Sequence, residues 1–217
     1  MKKIYWAADS TVQYNDITTY PQTGMGQVMH LYLKPEYIVV NHAKNGRSTK
    51  SFIEEGRFVP IQESMEEGDF LFIEFGHNDE KVMDPTRFTN PDKEYKENLR
   101  FFIGEAKKKK AYPVLIAPLE RRLFDDENHT IKKSEHTAYV KAMEEVAREL
   151  SVPFINLTEK STGLMLEAGE EVTKQWYMHV PDKIDNTHLK YEGAVRYAGC
   201  IAEGLRELGG IYGEMLL

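Results

Sequence analysis

Five short apolar runs constrain this chain more than any other feature of its sequence. KIYWAA (3–8), YIVVNHA (37–43), DFLFIEFG (69–76), PVLIAP (113–118) and PFINL (153–157) are rich in β-branched and aromatic residues. Most are apolar at successive positions, so as strands they need cover on both faces. Amphipathic stretches between them supply that cover. Residues 92–110 set Tyr95, Leu99, Phe102, Ile103 and Ala106 on one face. The KKKK end of that stretch (107–110) places cations at the negative helix terminus and reads as a solvated end. Further helices are predicted over 134–150, with Ser134 as N-cap, and over 191–208, stopped by Gly209-Gly210. Strands alternating with helices predict an α/β chain with an open parallel sheet and helices on both faces.

Composition bounds the rest. A chain of 217 residues fits a single domain over 1–217 and buries a full core. The net charge of −7 argues against nucleic acid or an anionic membrane as the main partner. The lone cysteine, Cys200, allows no intrachain disulfide and no cysteine metal cluster, and its apolar helical setting reads as buried. No apolar run approaches the ~18 residues that span a bilayer, and the one after Lys2-Lys3 is too short for a signal peptide. A cytoplasmic protein is the expectation. Oligomeric state is not legible.

In open α/β sheets the ligand sits beyond the carboxyl ends of the strands. Asp9-Ser10-Thr11 follows the first strand, Asn45-Gly46-Arg47-Ser48 the second, Gly76-His77-Asn78-Asp79 the third and Glu120-Arg121-Arg122 the fourth. Asp185-Asn186-Thr187-His188 precedes the last helix. Each block has an ordinary structural use: Ser10 or Thr11 as a helix cap, Asn45-Gly46 and residues 76–79 as turns, Asp185 and His188 as a loop pair. Together they contain a serine, a histidine with a nearby acid and candidate oxyanion donors, the groups that acyl transfer requires.

The blocks AADSTV (7–12), NGRSTKSF (45–52), FGHND (75–79) and DNTHL (185–189) occur in an order that resembles the SGNH (GDSL-type) hydrolases. With PLERRLF (118–124), they look like the rhamnogalacturonan acetylesterase group. The resemblance spans nearly the whole chain. It implies a three-layer α/β/α sandwich with a five-stranded parallel sheet in the order 2-1-3-4-5. It also implies Ser10 as nucleophile, His188 as general base and then acid, and Asp185 as its orienter. The implied oxyanion hole is the backbone N–H of Ser10 and of Gly46 with the Asn78 amide. The physical chemistry agrees: a serine hydroxyl needs a base to take its proton, and a carboxylate fixes the imidazole tautomer. A helix expected just after Ser10 would add its positive end. One departure is Ala8, where the family usually has glycine; alanine costs little there if φ is negative.

The resemblance implies an acetyl group on a sugar as substrate, with pectin-type rhamnogalacturonan leading, and no cofactor is expected; the acidic net charge and the absence of a secretion signal favour a short oligosaccharide over the polymer. Arg121 and Arg122 are candidate uronate ligands or partners of acids such as Asp125 and Asp126. Trp176 with Tyr177 could stack on a sugar or pack beneath the catalytic loop. Asp9 and His77 are further candidate substrate contacts, while Trp6, His42 and His179 read as structural. Competing readings are a lipase-like esterase or thioesterase and a non-catalytic carbohydrate-binding module. A nucleotide binder lacks its Gly-rich phosphate loop. A metal hydrolase lacks evident ligand spacing, so no metal is expected.

Overall fold

The apolar runs form one parallel sheet. In the computed structural model, which describes all residues except 126, 128, 129, 133 and 134, the chain has strands β1 (Lys2–Ala8), β2 (Tyr37–Asn41), β3 (Phe70–Glu74), β4 (Tyr112–Ile116), β5 (Phe124–Asp125), β6 (Thr130–Ile131), β7 (Phe154–Ile155), β8 (Tyr177–Val180) and β9 (Lys183–Leu189). The main sheet runs β2-β1-β3-β4-β7, all parallel, which is the expected 2-1-3-4-5 order. The two remaining pairs, β5-β6 and β8-β9, are small antiparallel hairpins.

Strand alternation sorts the core onto two faces. Ile4, Trp6, Phe70, Phe72, Val114 and Ile116 point to one side and pack with Tyr197, Ile201 and Leu205. Tyr5, Ala7, Leu71, Ile73 and Leu115 point to the other and pack with Phe102, Ile103, Met143 and Val146. The covering helices are α1 (Met25–Val28), α2 (Thr49–Glu54), α3 (Val59–Ser64), α4 (Glu94–Lys108), α5 (His136–Leu150), α6 (Leu157–Ala168), α7 (Glu170–Thr173) and α8 (Tyr191–Leu208). The central strands are sealed on both faces, which is why they read as continuous apolar runs. Trp6 is fully buried and Cys200 is buried, as their settings suggested.

Two expectations need correction. No helix starts after Ser10. Residues 9–13 make a single turn, in which the N–H groups of Val12 and Gln13 both donate to the Asp9 carbonyl (3.4 and 3.1 Å); a short 3₁₀ turn follows at Ile17–Thr19, and the first α-helix begins at Met25. Gly24 and Gly26 sit against the carbonyls of Val12 and Gln13, where a Cβ would clash, so the chain folds back instead of extending a helix. Residues 185–188 lie within strand β9 of a hairpin and not in an irregular loop. The cap expected at Ser134 lies outside the described residues; helix α5 begins at His136.

Candidate active site

The loops after β1, β2 and β3 meet hairpin β8-β9 at the carboxyl edge of the sheet. Ser10 stands in the turn that ends β1. The Asp9 carboxylate shapes that turn by accepting from the backbone N–H and the hydroxyl of Thr11 (both 3.0 Å). Ala8 closes β1 and is fully buried; among the described non-glycine residues only Lys110 and Ser151 have positive φ, so alanine fits there without strain.

Ser10 Oγ lies 2.9 Å from His188 Nε2, and His188 Nδ1 lies 2.7 Å from Asp185 Oδ2. With Nδ1–H donating to the carboxylate, Nε2 is the free acceptor that faces the serine hydroxyl. Asp185 also accepts through Oδ1 from the backbone N–H of Thr187 and of His188 (both 3.0 Å). Lys183 contributes its ammonium 2.9 Å from Oδ2. Burial opposes ionisation of Asp185. The donors from His188 and Lys183 outweigh it and hold the carboxyl well below the usual carboxylate range. Lys183 was missed in the sequence, because its i, i+2 spacing puts it on the same face as Asp185 only in a strand, and residues 185–188 read there as a loop.

Gly46 has φ +75°, a conformation that favours glycine. Among the described residues, neither its N–H nor that of Ser10 has a hydrogen-bond acceptor. The Asn78 amide nitrogen donates to the Arg47 carbonyl (3.1 Å) and to Asp9 Oδ2 (3.3 Å), while its oxygen accepts from Arg87 (3.3 Å). Ser10, Gly46, Asn78, Asp185 and His188 all line one cleft of about 390 Å³.

The other candidates separate. His77 and Arg121 line the cleft, and so does Lys81, which the sequence did not single out. His77 is 3% exposed and lies edge-on to His136, with ring centroids 4.4 Å apart. Burial, with His136 and Arg121 nearby, pushes its ring well below the ordinary histidine range. Arg121 is held by Glu80 at 2.6 Å. Burial, with Arg87 and Arg121 close by, also pushes the Lys81 ammonium down.

Three substrate-contact expectations are corrected. Trp176 is 1% exposed, packed edge-on against Tyr197 and under the Arg196 guanidinium, and Tyr177 beside it is fully buried; neither offers a face to a sugar. Arg122 is buried and donates to Thr173 Oγ1 (2.9 Å) and the Glu170 carbonyl (2.6 Å), so it braces helix α7. Asp9 is fully buried beneath Asn78 and has no surface for a ligand. In the other direction, His77, Glu80 and His136 place metal-competent atoms within 4.8 Å of one another. Their sequence spacing hid this cluster. The Glu80 carboxylate in it is already taken by His136 (2.5 Å) and Arg121.

Comparison with known proteins gives the same picture. The model of the GDSL-like lipase/acylhydrolase family matches residues 9–194. The chain is 40% identical over 223 residues to the rhamnogalacturonan acetylesterase RhgT of Bacillus subtilis (strain 168), covering 96% of this chain and 93% of that protein. It is 41% identical over 208 residues to the probable rhamnogalacturonan acetylesterase YesY of the same organism, covering 95% and 93%. Among solved structures, YxiM of Bacillus subtilis superposes with a TM-score of 0.86 at 26% identity, covering 97% of this chain and 57% of that one. An acetylxylan esterase from Geobacillus stearothermophilus shares the fold at TM-score 0.65 and 17% identity, covering 97% and 95%. The chain therefore belongs to the GDSL-like lipase/acylhydrolase family and is a carboxylic ester hydrolase.

Proposed function

We propose that this protein removes O-acetyl groups from carbohydrate, with acetylated rhamnogalacturonan oligosaccharides as its substrates, through an acyl-enzyme on Ser10. The observation that carries the reading is the unbroken line Ser10–His188–Asp185, in one cleft with two backbone N–H groups that have no acceptor among the described residues. His188 Nε2 takes the Ser10 proton as Oγ attacks the acetyl carbonyl carbon. The carbonyl electrons move onto oxygen, which the N–H groups of Ser10 and Gly46 and the Asn78 amide stabilise. Collapse breaks the bond from the carbonyl carbon to the sugar oxygen, the departing oxygen takes the proton from His188, and the acetyl group stays on Ser10 as an ester. Water, activated by His188, then repeats the sequence and frees acetate and Ser10. Asp185 stays ionised throughout and steadies the transient imidazolium.

The cleft supports a small acyl group. None of its lining residues carries a large apolar side chain. Within this cleft a longer chain would not gain the ~0.8 kcal/mol per buried CH₂ that makes lipases selective; the apolar side chains nearby, Val82, Met83 and Leu123, line the neighbouring cleft instead. Two neighbouring clefts share lining residues with it: one of about 370 Å³ that shares Gly46, and one of about 690 Å³ that shares Lys81 and Arg121. That extent suits several linked sugars. Lys81 and Arg121 place two cations beside the ester site, which fits a uronate in the substrate chain.

Acetate release from a panel of acetylated oligosaccharides tests this, with Ser10→Ala as control. Wild type should release acetate fastest from uronate-containing oligomers, and Ser10→Ala should release none. Comparable turnover of long-chain acyl esters would point to a general esterase, and full activity in Ser10→Ala would remove the serine mechanism.

A further inference from the structure

Behind Asn78 lies a set of buried carboxyl groups with too few protons for the contacts they make. Thr11 Oγ1 is 3.0 Å from Asp9 Oδ1 and 3.1 Å from Glu74 Oε2. Asp9 and Glu74 are fully buried and Thr11 is 1% exposed. One hydroxyl carries one proton. If both carboxyls were ionised, one of these two contacts would set lone pair against lone pair in a dry interior. One carboxyl therefore carries a proton of its own.

The donors around each group decide which. Asp9 accepts from the Thr11 backbone N–H at 3.0 Å and from the Asn78 amide at 3.3 Å, besides the Thr11 hydroxyl. Apart from Thr11, the only donor recorded for Glu74 among the described residues is the Leu119 backbone N–H, at 3.3 Å. Hydrogen bonds stabilise the ionised form of an acid. Asp9 has more of them, so Asp9 is the anion. Burial pushes both carboxyls upward; the Thr11 donors pull Asp9 back down, whereas the Asp9 charge pushes Glu74 further up, in agreement. The other ionisable groups in this pocket do not alter the assignment. Asp79 is also buried and acidic, with Thr49 and Thr89 as its donors, and the Tyr95 hydroxyl is spent on the Phe75 carbonyl.

We infer that Glu74 is held as a neutral carboxylic acid at the head of a hydrogen-bond chain, Glu74–Thr11–Asp9–Asn78, that fixes how the Asn78 amide is presented to the active site. Glu74 Oε2–H donates to Thr11 Oγ1, and the Thr11 hydroxyl donates to Asp9 Oδ1. Asp9 Oδ2 accepts one hydrogen of the Asn78 amide. That bond, with Arg87 on the amide oxygen, prevents the amide from flipping and presenting oxygen to the oxyanion. The second amide hydrogen, on the Arg47 carbonyl at 3.1 Å in the resting enzyme, is left to be shared with the oxyanion. Glu74 and Thr11 are positioning residues in this scheme, since neither lines the cleft. The part that runs through Asn78 rests on the oxyanion role proposed above. The location of the proton does not.

Two measurements test the inference. Infrared difference spectra at mildly alkaline pH should show the C=O stretch of a protonated carboxyl that is lost in Glu74→Gln and kept in Asp9→Asn. The same band should persist in Ser10→Ala, whatever becomes of the esterase reading. A band lost only in Asp9→Asn, or no such band in the wild type, would overturn the assignment. Kinetics test the positioning. Thr11→Val should lower kcat about tenfold or more with KM little changed, the pattern expected when a transition-state interaction is impaired. Thr11→Ser should restore the rate, and Glu74→Gln, which still donates to Thr11, should do far better than Glu74→Leu. Wild-type kcat in Thr11→Val and Glu74→Leu would refute the positioning role even with the proton on Glu74.

Discussion

At the scale of the residue, the site depends on a few donors whose directions are set by neighbours. With Asn78 in the proposed oxyanion role, Asn78→Ala is expected to lower kcat by about 10²–10³, the usual cost of one such donor, with little change in KM. Gly46→Ala should also slow turnover. The new Cβ meets nothing closer than Arg87 at 3.7 Å, so the harm comes from a φ of +75° that alanine resists at a cost on the order of 1–3 kcal/mol. Relaxing that strain would turn the Gly46 N–H away from the substrate, and steady-state kinetics on 4-nitrophenyl acetate would show it. Asp185 gives a prediction for stability. Its pKa is lowered in the folded protein, so its contribution is fully present above the unfolded value of about 3.9 and is lost as pH falls through the lower, folded value. Urea unfolding should find wild type more stable than Asp185→Asn near neutral pH, and the gap should close in strong acid. A gap that widens on acidification would contradict the hydrogen bonding described here.

At the scale of the element, the hairpin β8-β9 is the part that the sequence concealed. The strands of the main sheet were legible because their apolar runs announce burial on both faces. Residues 177–189 carry no such run. His179, Asp185, Asn186 and His188 are polar, and His179 meets Asn186 only because the two strands fold together. His179 Nε2 meets Asn186 Oδ1 at 2.7 Å, and the Arg122 backbone N–H donates to the Asn186 carbonyl at 2.9 Å, so the hairpin is tied to the loop after β4. The spacing of Asp185 and His188 was readable; the strand beneath them, and the role of Lys183, were not. Arg122 was misjudged for a similar reason. A guanidinium at a strand end looks the same in sequence whether it faces ligand or Thr173. Arg122→Met should therefore lower the unfolding free energy by about 1–3 kcal/mol, through the unsatisfied groups it leaves, and hardly alter KM. Thermal denaturation beside kinetics separates the two effects. Gly193→Ala should be worse still: its Cβ would fall 2.2 Å from the Trp176 carbonyl oxygen, so α8 could not keep its place against the hairpin.

At the scale of the whole molecule, a chain of net charge −7 presents Lys81, Arg121 and Lys183 in a single cleft. Two are matched, Arg121 by Glu80 and Lys183 by Asp185, while no ion pair is recorded for Lys81 among the described residues. Lys81→Ala should raise KM for uronate-containing oligomers and leave 4-nitrophenyl acetate turnover almost unchanged. Added salt should weaken the former selectively, because exposed charge is screened over about 10 Å at 0.1 M. Equal salt effects on both substrates would argue against a uronate contact. The parallel strands could be anticipated from local patterns, and the sheet order and the serine–histidine–acid set from the resemblance that the motif blocks carry. The Lys81 and Glu80 contacts, and the buried chain from Glu74 to Asn78, could not, because they depend on which loops meet. That meeting also has a consequence in time. Ser10 and His188 touch across 178 positions of chain, so under the proposed mechanism no early fragment emerging from the ribosome can hydrolyse an ester. Catalysis must await the docking of α8 and the hairpin before it, whatever structure β1 to β3 have already gained. In refolding experiments, protection of β1 and β3 amides should therefore precede the return of activity, making enzyme assay a clock for the last step of assembly.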